Sequence, residues 1–146
     1  MRHHASVRSS HTALPTGSLA FETAFLPTPR RVGEMRQMTA GFLRLVDVSG
    51  EVGGDVLLAV SELVTNAIRH GGGEIVLRLS FDQFKVRISV TDQNPRKAQL
   101  KHAGPDDESG RGLALIAAFA HSWGSDGEKT WCVFHCSPDA AGAVEA

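Results

Sequence analysis

Apolar and polar positions change period several times along this chain, and each change marks an element. From Arg30 to about Val46, the residues Val32, Met35, Met38, Phe42 and Leu45 recur at three- and four-residue steps, which gathers them on one face of a helix. Gly41 weakens that helix slightly. A second helix runs from about Glu51 to Arg69 and stops at Gly71-Gly72-Gly73, where glycine can take the positive φ of a helix end. LAFETAF (19–25) alternates in part, as a short strand does, and Pro27-Thr28-Pro29 closes it. EIVLRLSF (74–81) and FKVRISVTD (84–92) alternate strongly with only Asp82 and Gln83 between them, predicting an antiparallel hairpin with one buried face.

Between Gln93 and Ser109 the period vanishes into a loop of a length that in compact domains serves function or is disordered. Gly110-Arg111-Gly112 ends it, LALIAAFAHSWG follows as a short apolar third helix, and TWCVFHC (130–136) forms a last strand. Residues 1–18 read as a flexible leader, 19–137 as one domain and 138–146 as a flexible small-residue tail, with no internal repeat. The resulting order is strand, helix, helix, strand, strand, loop, helix, strand. It predicts an α+β two-layer sandwich, with helices on one face of a mixed, mostly antiparallel sheet.

Composition narrows the class. The 146 residues suffice for one domain with a real core, and 42% hydrophobic with 21% charged residues describes a globular protein. A formal net charge of −1 gives no basic footprint for nucleic acid. No apolar run approaches the ~20 residues of a membrane span, and no secretory core is present, so a cytoplasmic location without membrane contact is expected. Cys132 and Cys136 fall on one strand, roughly 13 Å apart, too far for a disulfide. His135 falls on the opposite face of that strand, so the three do not form a zinc set. Trp123 and Trp131 are expected in the core.

Three places could carry chemistry. On the second helix, at about 100° per residue, Glu62, Asn66, Arg69 and His70 lie within about a quarter-turn of Asn66, while Val60, Leu63, Val64, Ala67 and Ile68 cover the rest. A carboxylate and an amide oxygen one turn apart can accept a proton and join an octahedral Mg²⁺ shell. The bland reading of the same stripe is a solvated helix face. Asp92 ends an apolar strand, where a carboxylate can accept a hydrogen bond from the exocyclic amine of a base or simply form a turn. Ser109-Gly110-Arg111-Gly112-Leu113 opens an apolar helix, where backbone N–H groups and absent side chains suit a phosphate, or only helix entry.

Together these segments are far more specific. Glu62-x-x-x-Asn66-Ala67-x-x-His70, Asp92 at a strand end and Gly110-x-Gly112-Leu113 resemble the asparagine box and two glycine boxes of the GHKL (Bergerat-fold) ATP-binding superfamily. SELVTNAIRHG and SGRGLALI are most similar to the anti-sigma factor serine/threonine kinases of bacteria. The resemblance implies an ATP site with Mg²⁺ on Asn66, the adenine amine on Asp92, and phosphates along Gly110, Arg111, Gly112 and Leu113. By the same resemblance Glu62 orients or deprotonates the attacking hydroxyl, Thr130 stands near the adenine, and Arg69 and His70 neighbour the phosphates. It also implies a sigma factor or an anti-anti-sigma factor as partner, and leaves a homodimer paired through the sheet and first helix among its implications. One departure is visible: the fuller pattern reads DxGxG, whereas this chain has Asp92-Gln93-Asn94-Pro95-Arg96. A non-catalytic ATP-binding module of the same fold, and a catalytic domain of the histidine-kinase type, stay open as alternatives.

Overall fold

The computed structural model describes residues 6–7, 17–70, 72–93 and 108–136, with 6–7 and 108–111 described by backbone only. The elements are β1 (Ser6–Val7), β2 (Leu19–Phe25), α1 (Arg31–Leu45), α2 (Gly50–His70), β3 (Ile75–Asp82), β4 (Lys85–Thr91), α3 (Glu108–Phe119), β5 (Ser122–Asp126) and β6 (Lys129–His135). They build an α+β sandwich on a sheet of order β1-β2-β3-β4-β6-β5. Every described strand pair is antiparallel, which sharpens the mixed sheet expected from the sequence.

Alternation decides which side of the sheet the helices cover. Phe25, Ile75, Leu77, Leu79, Val86, Ile88, Val90, Cys132 and Phe134 are buried, and they share one core with Met35 and Phe42 of α1, Val56, Val60, Leu63 and Val64 of α2, and Leu113 and Ile116 of α3. The helix α2 lies over β3, β4 and β6, with α1 against one flank and α3 against another. Its buried positions, Gly53, Val56, Ala59, Val60, Leu63, Val64 and Ala67, repeat at three- and four-residue steps, so tertiary burial holds the helix despite its glycines.

Several boundaries differ from the sequence reading. The β3–β4 turn sits at Gln83-Phe84 rather than Asp82-Gln83, both with positive φ (50° and 60°), the left-handed pair a tight two-residue hairpin requires. The third helix ends at Phe119, and the end of the run read as helix, Ser122 to Gly124, instead begins β5 (Ser122–Asp126), paired with β6. The SWGSD sequence has weak strand propensity, and pairing supplies the structure. The missed signal was Gly127-Glu128, a two-residue hairpin turn between the paired Asp126 and Lys129, with Gly127 at φ 58° in its first position. Within the segment read as a leader, Ser6–Val7 pairs with Ala24 and Thr23. Trp131 is not a core residue: its neighbours Thr130 and Cys132 face the helices, so it lies on the open face, with Arg87 stacked 4.8 Å above its ring. Trp123 does pack against the core. No helix among the described residues is long and apolar enough to cross a membrane.

Thr23 is fully buried on the helix side of β2, and its hydroxyl has no hydrogen-bond partner among the described residues. An isosteric methyl removes a desolvated polar group and keeps the shape, so Thr23→Val is expected to raise unfolding stability by about 1 kcal/mol. An increased urea midpoint with unchanged slope checks this, and a decreased midpoint would contradict it.

Candidate functional site

One end of the sandwich collects the residues singled out in the sequence. On α2, Glu62 and Asn66 sit on the border of the buried stripe and are half-buried, whereas Arg69 and His70 are exposed in the last turn. The border position follows from the helical repeat, because Leu63 and Ala67, one residue further round, are the ones that enter the core.

The flank of α2 that carries Glu62 meets α3. A Cβ on Gly112 would fall against the Glu62 carboxylate, and the Glu62 Cβ would stand 3.2 Å from it. The absent side chain at Gly112 leaves the Glu62 carboxylate its place against α3. The sequence reading placed Gly110, Arg111 and Gly112 ahead of the third helix, but α3 begins at Glu108 and all three lie in its opening turns. Each glycine disfavours helix by about 1 kcal/mol relative to alanine. Burial of Leu113 and Ile116, at 4% and 3% exposure, anchors the helix against that cost. Leu113 thus contributes its backbone to this end while its side chain belongs to the core.

The sheet supplies the other wall. Asp92 follows β4 and is half-buried, and its backbone N–H donates to the Glu128 carbonyl at 3.0 Å, continuing the ladder past the strand end. Val86, Ile88 and Val90 face the helices, and the same alternation carries Asp92 to that side. Thr130 pairs directly with Val90, so it also faces the helices, diagonal to Asp92 across the β4–β6 boundary. Its hydroxyl lies 3.5 Å from that of Ser125.

A last link joins the two walls. The Gln93 backbone N–H donates to the Gly72 carbonyl at 3.1 Å, tying the segment after Asp92 to the loop after α2. Glu62, Asn66, Asp92, Thr130 and the first turns of α3 therefore gather at one end of the fold, although they come from four separate segments. The arrangement puts a carboxylate and an amide on one wall, the opening of a helix beside them and a strand-end carboxylate opposite, a concave set of polar groups of the kind small-molecule sites use. A model of the histidine kinase-like ATPase domain matches residues 25–134 of the chain.

The chain belongs to the histidine kinase-like ATPase family. As a member it carries an ATP-binding domain, and the matched span runs from the end of β2 to near the end of β6. The chain is 32% identical over 120 residues to the anti-sigma F factor of Clostridium acetobutylicum, covering 74% of this chain and 84% of that protein. It is also 37% identical over 84 residues to an uncharacterised protein of Streptomyces coelicolor, covering 54% of this chain and 80% of that protein.

Two contacts beside these residues are not legible in the sequence pattern: Ser125 beside Thr130, and Gln93 against the glycines after α2. The first lies just past the run LALIAAFAHSWG, on a strand that the sequence reading did not contain. Outside this end, the Cys132 thiol is pushed up to about 12, chiefly by burial, and is chemically inert at neutral pH. His135 instead stacks on His121 with ring centroids 3.5 Å apart, and loss of solvation followed by the neighbouring His121 and Lys85 charges holds its imidazole below the usual value.

Proposed function

We propose that this protein is an ATP-dependent serine/threonine-protein kinase that acts as an anti-sigma factor, switching between a sigma factor and an anti-anti-sigma factor that it phosphorylates. The observation that carries the reading is the contact between Glu62 on α2 and Gly112 at the start of α3, which sets a carboxylate beside a helix start suited to phosphates. The similarity to a protein named anti-sigma F factor supports the choice of partner class.

Each residue then has a task. Glu62 orients the hydroxyl of the acceptor Ser or Thr and takes its proton as the γ-phosphoryl group moves to that oxygen and ADP leaves. Asp92 accepts a hydrogen bond from the adenine amine, with Thr130 beside it, and the phosphates meet the opening turn of α3, where the backbone N–H of Gly110 precedes the first intrahelical bonds. Arg69 and His70 stand at the end of α2 where cationic groups can offset phosphate charge. The donor set also fits Mg²⁺: Asn66 is half-buried and its amide oxygen is a hard ligand, and an octahedral ion completed by phosphate oxygens and waters needs no cluster of protein carboxylates. Bound there, Mg²⁺ supplies charge neutralisation to the phosphates.

Asn66→Ala is expected to weaken Mg-ATP binding by at least the about tenfold that even an outer-shell change costs a metal site. Parallel calorimetric titrations of the two proteins test this, and equal affinities would remove Asn66 from the site. The product of transfer identifies the reaction, since a phosphoserine or phosphothreonine ester survives acid and a phosphohistidine does not. A non-catalytic ATP-binding module is the second reading, favoured by the glycine-free run Asp92-Gln93-Asn94-Pro95-Arg96. Mg-ATP binding without transfer to any anti-anti-sigma protein would decide for it.

A further inference from the structure

The loop after α2 and the segment after β4 are clasped by one residue. Gly73 adopts φ 72°, and a Cβ placed on it would coincide with the side-chain amide of Gln93. One residue earlier, the Gly72 carbonyl accepts the Gln93 backbone N–H at 3.1 Å. Backbone and side chain of a single residue thus lie against the same two glycines. Gln93 is exposed, so apolar burial does not account for its placement, and ordering a long side chain costs rotamer entropy.

What the clasp does fix is Asp92. Its own N–H is bonded to Glu128 on one side, and the next N–H is bonded to Gly72 on the other. Two successive backbone bonds in different directions define the orientation of the residue between sheet and helix loop. The non-glycine residue directly after Asp92 then acquires a reason: the room is provided across the gap by Gly73, and the Gln93 side chain fills it.

We infer that Gln93 is a positioning residue for base selection: laid over Gly73, it holds the Asp92 carboxylate in the direction that accepts a hydrogen bond from an exocyclic purine amine. This rests on the reading of Asp92 as the adenine acceptor. A purine without that amine leaves the carboxylate unpaired, and a 6-oxo purine sets two acceptors against each other, so the clasp makes the site an adenine site rather than a general purine site.

The experiment titrates the intact chain with Mg-ATP and with the Mg complex of purine riboside triphosphate, which has hydrogen in place of the amine. The unsubstituted protein is expected to prefer ATP by about tenfold, the value of one hydrogen bond to a charged acceptor. Gln93→Ala is expected to bring that preference to within about threefold. Gly73→Ala, whose Cβ evicts the amide from the other side, is expected to do the same. The ratio is read because general loosening lowers both affinities together and leaves it unchanged. A Gln93→Ala protein that keeps the full preference, while Asp92→Asn loses it, overturns the positioning role and leaves the base assignment standing. If Asp92→Asn keeps the full preference, the base assignment falls and the inference falls with it.

Discussion

Replacing Glu62 by Gln is expected to lower phosphoryl transfer to an anti-anti-sigma protein by about a thousandfold, within the range a positioned general base contributes. The two side chains have the same shape, and Glu62 is half-buried on the border of α2, so the substitution leaves the helix and its contact with Gly112 in place. What it removes is the capacity to take a proton. It also removes a negative charge beside the proposed triphosphate, which can only favour the polyanion. ATP affinity is therefore expected to stay within about threefold or to tighten. Radiolabel transfer and calorimetry, run on the same preparations, separate the two effects. Transfer at the unsubstituted rate would exclude Glu62 as the base, and loss of binding together with transfer would make it a structural residue of the cleft.

The second large effect is expected at Gly112→Ala, where activity and stability should part company. At an interior helix position alanine is favoured over glycine by about 1 kcal/mol, so on propensity alone α3 gains. The added Cβ, however, would fall on the Glu62 carboxylate, while the Glu62 Cβ stands at a tight 3.2 Å. The carboxylate is the movable end of a flexible side chain, so it swings away at little cost. Thermal stability is thus expected to hold or rise slightly, while transfer falls by about a hundredfold, the usual cost of displacing a catalytic group by an ångström. A Gly112→Ala protein with full transfer would mean that the position of Glu62 is unimportant. A sharp fall in melting temperature would mean that the α2–α3 contact is a packing device.

Much of this molecule was legible in its residues, and the exceptions have a common cause. The strands β2, β3, β4 and β6 and the helices α1 and α2 were readable because each carries a period of its own, two or near 3.6, long enough to bury one face. SWGSD has no such period; β5 exists because β6 offers it a ladder, and only the Gly127-Glu128 turn hinted at it. The start of α3 was misplaced because two glycines argue locally against helix, whereas Leu113 and Ile116 are pulled into a core made by other segments. Trp131 was assigned inward on hydrophobicity, and the register of β6 against β4 turned it outward.

The candidate site divides along the same line. Sequence by itself determined the ingredients: a polar flank on an apolar helix, a strand-end carboxylate and a glycine pair at a helix start, whose joint likeness to an ATP-binding superfamily is matched by the family found for residues 25–134. Only the tertiary structure decided that Glu62 meets Gly112, that Asp92 and Thr130 share a face, and that Gln93 closes on Gly72 and Gly73. The physical reason is range. Periodicity and propensity act within a turn or a strand, whereas these contacts join residues as much as fifty positions apart and are set by which apolar faces the sheet and helices bury against one another.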